Sequence, residues 1–411
     1  MTVIDDNTTG SDAPPKKRIE LLPDPEPREV AYTLISVDDH LVEPRDMFEG
    51  RLPMKYQAEA PRIIRMLNGT EPWYYDGNFI PQSGSNAVVG QANRNEVMDP
   101  VGFEDMRKGT YDIHERVKDM DINGVWASVA FPSIISGFCG RIFSATKDQG
   151  LGYAVMRAWN DWFFEEWHSA YPERIVPMGI TWLSDPEVGA EEIRRNAARG
   201  FTAVTFPEGP HKLGYPTLHS GFWDPILRAC EETDTVLALH VGSSGIDIYD
   251  TEAPHGLSTT LFPVSSLQAA ANWVWSGVCV RFPKLKILMA EGGIGWVPML
   301  MDRLDYVLDH AGGPSFGSDT WQHDIKPSEL MRRNFNYAIL DDPSTLAVRD
   351  RIGVDNIMVE VDYPHADSQW PDSQEHFKKL LGHLPAEEIR KITHLNAARL
   401  FRHPLPSTTL P

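Results

Sequence analysis

The sequence predicts a single (β/α)8 TIM barrel with a long insertion after its first strand and a helical extension at its C-terminal end. Three observations lead there. Eight short apolar runs alternate along the chain with windows of helical spacing. None of them is followed by the glycine-rich phosphate turn that an open, doubly wound sheet usually carries. The chain's 411 residues, 42% hydrophobic and 23% charged, have an ordinary globular composition with room for one barrel and its insertions.

Residues 1–29, rich in Pro, Asp and Glu, are expected to form a flexible arm outside the fold. The barrel domain is expected over 30–403 and a short tail over 404–411. AYTLISVD (31–38) is the first β-rich run, and the segment 45–111 after it is far longer than an ordinary connection. Its aromatics and turn formers (EPWYYDGNFIPQSGSN) point to a lid over the barrel mouth or a dimer-forming flap. DIHERVKDMDING (112–124) has helical spacing, VWASVAFP (125–132) returns to strand character, and 147–172 reads as one long helix. RIVPMGITW (174–182) follows as a strand, then DPEVGAEEIRRNAARG (185–200) as a helix with an acidic start and a Gly stop. FTAVTFPEG, TVLALHVG, LKILMAEGG, FNYAIL and NIMVEVDYP complete the eight runs. Windows such as HSGFWDPILRACEET (219–233) and WVPMLMDRLDYVLDHAG (296–312) supply helices between them.

The formal charge of −20 repels phosphate backbones and anionic membrane surfaces, so neither nucleic acid nor membrane is an expected partner. No stretch has signal-peptide or membrane-span character. Cys139, Cys230 and Cys279 show no CxxC spacing, which points to a reducing, cytoplasmic setting. The expected partners are a small-molecule substrate and a second copy of the chain.

In such a barrel chemistry collects at the carboxyl ends of the strands. Asp38 and His40 share a face at the end of the first run, and the fifth, sixth and eighth end in His240, Glu291 and Asp362. Singly, each is as readily a structural His or a helix-capping acid. Together, two imidazoles and two carboxylates form an N/O set that suits zinc, manganese or iron. His365, three residues beyond Asp362, can swing into the mouth, and Glu43 is placed to orient the other nitrogen of His40. Phe138, Arg141 and Trp73 are candidates to line a substrate pocket, while His211 and His255 read as exposed loop residues. Other motifs fail: EGGIGWVP lacks the third glycine of a dinucleotide turn, and GSSG (242–245) lacks the spacing of a nucleophile elbow.

These features in their order resemble the amidohydrolase-related TIM barrels, in particular the branch of aminocarboxymuconate semialdehyde decarboxylase and gamma-resorcylate decarboxylase. The resemblance spans about 34–403. It rests on Asp38-x-His40 followed by Pro44, His240, FPKLKILMAEGGIGWVP (282–298), DYPH (362–365) and NAARLF (396–401). It implies one divalent metal, zinc first with manganese or iron as alternatives, on Asp38, His40, His240 and Asp362, and a sealing role for NAARLF. Asp38 stands where many relatives have His, and Glu291 where the decarboxylases generally have a catalytic His. The fourth run offers no lysine to bridge a second metal. With Asp38, Asp362 and Glu291 all acidic, charge favours a hydrolase that uses metal-activated water on a small organic carbonyl substrate. Asp362, Glu291 and His365 are its expected catalytic groups. The alternatives are a non-oxidative decarboxylase of an aromatic or unsaturated acid, and a barrel that binds a ligand without catalysis.

Overall fold

A computed structural model describes residues 3–4, 19–82, 86–92, 102–245, 252–254, 256–310, 321 and 323–410. Most of the expected N-terminal arm, and His255, lie outside these residues. Among the described residues eight strands form the barrel. They are β1 (Leu34–His40), β2 (Val125–Phe131), β3 (Ile175–Val176 and Met178–Ile180) and β4 (Ala203–Phe206). β5 (Val236–His240), β6 (Ile287–Ala290), β7 (Phe335–Ile339) and β8 (Ile357–Val359) complete it. Each pairs in parallel with the next. Pro177 has no N–H to donate, and it splits β3 into a half that pairs with β2 and a half that pairs with β4. The ring closes between β8 and β1, where Asp362 N donates to Asp38 O at 2.8 Å and His40 N to Tyr363 O at 2.6 Å.

The helices stand where their start and stop residues place them. Asp112 caps α1 (Ile113–Asn123) by accepting from His114 N and Glu115 N, and Gly124 ends it at φ 69°. Asp185 caps α3 (Pro186–Arg199) in the same way; between them α2 (Gln149–Trp162) is followed by a wider π turn, Phe163–His168. The segment 147–172 is therefore not one uniform helix. The ring continues with α4 (Asp224–Glu232), α5 (Phe262–Trp275), α6 (Val297–His310) and α7 (Pro327–Asn334). α8 (Ser373–Leu381) and α9 (Asn396–Phe401) follow β8. One apolar cluster fills the inside of the barrel with alternate strand residues, among them Ile35, Val37, Val129, Met178, Ala238, Leu288 and Met358. Ala397, Leu400 and Phe401 of α9 belong to that same cluster, so NAARLF seals the barrel.

The segment 45–111 carries a short antiparallel sheet of Arg62–Ile63, Trp73–Tyr75 and Asn78–Ile80. Its far end is tied to the mouth. Val88 N and Val89 N donate to Pro364 O at 3.0 and 3.3 Å, and Val42 N donates to Thr110 O at 3.0 Å. Arg116 of α1, fully buried, completes the junction by donating to His40 O and to Gly109 O and stacking 4.3 Å from the Tyr363 ring. Removing it orphans two carbonyls and leaves Asp39 without its neighbouring cation. Arg116→Met is expected to lower unfolding stability by about 3 kcal/mol in urea titrations; a change below about 0.5 kcal/mol would show the junction to be incidental.

Candidate metal centre

The centre begins at an irregularity. Ile35 and Val37 face the barrel interior, so strict alternation would turn Asp38 and His40 outward. A register shift against β2 between Ser36 and Asp39 reverses the phase and brings both residues inward. His40 Nε2 then lies 3.4 Å from Asp38 Oδ1, 3.4 Å from Asp362 Oδ1 and 3.0 Å from His240 Nε2. His240 Nε2 is 3.6 Å from Asp38 Oδ2. These four side chains are buried, and Asp38, His40 and His240 present ligand atoms within 4.8 Å of one another, as do His40, Asp362 and His365.

The donor set fits a divalent cation. Both carboxylate oxygens of Asp38 are buried without a hydrogen bond among the described residues. Burial, with His365 beside it, pushes the His240 imidazole down to about 3, and burial does the same to His365. Burial also holds His40 well below its ordinary value. Neutral imidazoles are the form that ligates a metal. His240 Nδ1 lies 2.7 Å from Val241 O, which fixes that nitrogen as the donor and leaves Nε2 for the centre. Without an ion, burial and the carboxylates of Glu360, Asp362 and Glu291 raise Asp38 well above its normal range. A divalent charge among them opposes that rise.

Glu291 reaches the site by a second departure from strand geometry. Ala290 faces the interior, so the next residue of a regular strand would point away. A φ of 58° turns Glu291 back, and its Oε2 lies 3.3 Å from His240 Nε2. Asp362 and Phe138 also have positive φ, 55° and 65°, so three non-glycine residues in left-handed backbone gather at one mouth. His365 stacks on His40 with ring centroids 3.5 Å apart and sets Nδ1 3.1 Å from Asp362 Oδ1. The Phe138 ring stacks on His240 at 5.2 Å and meets His40 edge-on at 5.5 Å.

The other expected residues lie differently. Glu43 is buried and accepts from Ser133 N at 3.1 Å, from the Ser133 hydroxyl and from Trp159 Nε1 at 2.9 Å. Its carboxylate braces the end of β2 instead of His40 Nδ1, which has no hydrogen-bond partner among the described residues. Trp73 is fully buried edge-on against Phe48, a packing position. Arg141 opens the short helix Arg141–Ser144 under Gly137, and its Nε is buried without a hydrogen bond among the described residues. His211 is exposed.

Two carboxyls join the site that sequence reasoning passed over. Glu360 precedes Asp362 by two residues and so shares its face; it is buried, accepts from Glu291 N at 3.0 Å, and is raised well above normal by burial and Asp362. Glu208, two residues past β4, is buried and accepts from Gly242 N at 3.0 Å. Burial lifts it from 4.5 to about 8, against the opposing pull of that N–H and of Lys212. A carboxyl raised on folding leaves the folded state holding more protons. Its contribution to stability is complete below about pH 4.5 and is lost as pH rises toward 8. Glu208→Gln is therefore expected to flatten the fall of melting temperature between about pH 5 and 8; an unchanged slope would show that Glu208 ionises normally in the fold.

No helix among the described residues is long and apolar enough to cross a membrane. The amidohydrolase family model matches residues 140–403. Among solved structures the chain is similar to an amidohydrolase from Mycobacterium avium subsp. paratuberculosis K-10, with 22% identity and a TM-score of 0.67 over 91% of this chain and 100% of the other. It is similar to the 2,6-dihydroxybenzoate decarboxylase from Rhizobium at 18% identity and a TM-score of 0.60, covering 90% and 99% of the two chains. The 5-carboxyvanillate decarboxylase from Novosphingobium aromaticivorans, solved with manganese and 4-hydroxy-3-methoxy-5-nitrobenzoic acid, matches at 19% identity and a TM-score of 0.61 over 92% and 98%. These likenesses fix the fold as that of the amidohydrolase barrels, and the sequence match across well over half the chain places it among them: the protein belongs to the amidohydrolase family, an enzyme family of metal-dependent barrels.

Proposed function

We propose that this chain is a metal-dependent carboxy-lyase that removes CO2 from a small aromatic or unsaturated acid without an oxidant. The observation that carries the reading is the buried cluster of Asp38, His40, His240 and Asp362, with Glu291 and His365 against it. Two of the similar barrels are decarboxylases of hydroxylated benzoates, which sets this reading above the hydrolase that charge alone favours.

Asp38, His40, His240 and Asp362 would hold one divalent ion, and manganese is the first to supply because a similar barrel was solved with it. When bound, the ion supplies a Lewis acid that fixes substrate oxygens and offsets the cluster's negative charge. The protein's own groups do the rest. Phe138, lying on His240, gives the substrate ring an apolar face. Glu291 or Asp362 holds a proton over the carbon that bears the carboxylate. That proton forms the new C–H bond, the C–CO2 bond breaks, and its electron pair restores the unsaturated system as CO2 leaves. His365, at hydrogen-bond distance from Asp362, returns a proton from solvent.

The hydrolase reading stays as a second one because Asp38, Asp362, Glu291 and Glu360 leave the mouth rich in acid, which disfavours an anionic substrate. The test is a panel of hydroxybenzoates and of neutral esters and lactones offered to the manganese-loaded protein. CO2 release from an acid with no ester cleavage is the expected result; hydrolysis without CO2 would reverse the assignment.

A further inference from the structure

We propose that Glu360 is the positioning residue of Glu291: its side chain, reaching inward from the end of β8, takes the Glu291 N–H and holds that residue in the left-handed turn that aims its carboxyl at His240. The consequence for turnover rests on reading Glu291 as a group that holds the reaction's proton; the consequence for the conformation of Glu291 does not.

Strand pairing does not reach this N–H. β6 pairs with β7 as far as Met289 and Tyr337, so Glu291, the first residue after β6, lies past the last pair. β8 is one strand further on, beyond β7, and Glu360 is the first residue after it. Met358 faces the barrel interior, so alternation turns Glu360 inward as well. Its backbone stays tied to β7, with Glu360 N donating to Ile339 O at 3.1 Å. From there Glu360 Oε2 accepts from Glu291 N at 3.0 Å, so that one side chain links two strands that are not neighbours.

The link falls on the residue whose conformation needs it. A side-chain-bearing residue at φ 58° stays there only where its surroundings over-determine it. The rest of the turn is held separately: Gly293, at φ 59°, bears no such strain, and Asp342 accepts from Ile294 N and Gly295 N. At Glu291 the restraint on the main chain is the bond to Glu360, and the side chain it aims ends with Oε2 3.3 Å from His240 Nε2. A proton donor works only within hydrogen-bond reach of its target, and a displacement of about 1 Å can cost about 10²-fold in rate. Glu360 is 1% exposed, and its Oε1 has no hydrogen bond among the described residues. The link therefore uses one acceptor oxygen, which a carboxamide supplies as well as a carboxylate.

Two variants separate reach from charge. Glu360→Asp keeps the carboxylate but stops a methylene short of Glu291 N, and Glu360→Gln keeps the reach without the charge. In the manganese-loaded full chain, with the acid it turns over, Glu360→Asp is expected to lose about 10- to 10²-fold in kcat while KM stays within about twofold and metal content is unchanged. Glu360→Gln is expected to lose far less. Glu360→Met, which has the length but no oxygen, is expected to behave as Glu360→Asp does, and it carries the test if the shorter side chain prevents folding. Added to Glu291→Gln, Glu360→Asp is expected to cause no further loss, because Glu360 acts through Glu291. A crystal structure of Glu360→Met grown without metal gives a readout apart from activity: Glu291 is expected to leave the left-handed region and its Oε2 to draw away from His240. An unmoved Glu291 in that structure, a Glu360→Gln as slow as Glu360→Asp, or losses that add in full with those of Glu291→Gln would each overturn the proposal. If no acid is turned over, the carboxy-lyase reading falls, and the position of Glu291 in that crystal structure alone decides whether Glu360 holds it.

Discussion

His240→Ala protein, dialysed with manganese, is expected to retain well under half an equivalent of metal and to turn over at least about 10³-fold more slowly than the wild type. His240 is the hinge of the centre because its Nε2 lies within 3.6 Å of His40 Nε2, Asp38 Oδ2 and Glu291 Oε2. Removing the ring takes away one proposed ligand and leaves Asp38 and Glu291 facing each other without the imidazole between them. Thermal melts read the same event independently of activity. An ion at a hundred times its dissociation constant stabilises the fold by about 2.7 kcal/mol, so manganese is expected to raise the wild-type midpoint by several degrees and leave the variant unmoved. Full metal content and an undiminished melting shift in the variant would remove His240 from the ligand set.

The second large effect is at Glu291. Glu291→Gln keeps the size of the side chain and, at φ 58°, the same backbone demand, but it cannot give up or take a proton. Turnover is expected to fall by about 10² to 10⁴ while metal content stays near the wild-type value. The split between the two readouts matters, because a residue that merely held His240 in place would lower both together. Burial and the Asp362 and Glu360 carboxylates raise Glu291 in the absence of metal, so replacing it with a neutral amide relieves repulsion. The metal-free variant is therefore expected to melt at or above the wild-type temperature, the usual exchange between stability and activity at a strained site. Equal turnover in Glu291→Gln would assign the proton to Asp362 and His365 alone.

Much of this fold is legible in the chain because its signals are local. Asp112 and Gly124 bracket α1, Asp185 and Gly200 bracket α3, and the apolar runs coincide with the eight strands. β3 was readable as one run, yet Pro177 withholds the N–H that would have kept it continuous. The π turn at Phe163–His168 left no such mark in the sequence. The convergence of Asp38, His40, His240 and Asp362 was legible from strand ends, but for a reason simpler than the real one. Alternation puts Asp38 and His40 on one face, and only the register shift against β2 decides that it is the inner face. Glu360 was within reach of the same alternation argument, two residues before Asp362. Glu208 was not, because it lies past its strand and is brought in by Gly242 from the next loop. Arg116 was also invisible, since its partners His40 and Gly109 are joined to it only by the fold. Glu43 shows the converse: its position beside the rim was apparent, while its partners, Ser133 and Trp159, come from distant parts of the chain.

The central claim is that Asp38, His40, His240 and Asp362 form one divalent-metal centre at the barrel mouth. Elemental analysis of the purified, untagged chain for manganese, zinc and iron, beside His40→Ala and His240→Ala prepared identically, tests it most directly. The account predicts close to one equivalent in the wild type and a marked loss in both variants. An absence of metal in the wild type after manganese or zinc has been added back, or the same content in all three proteins, would contradict it.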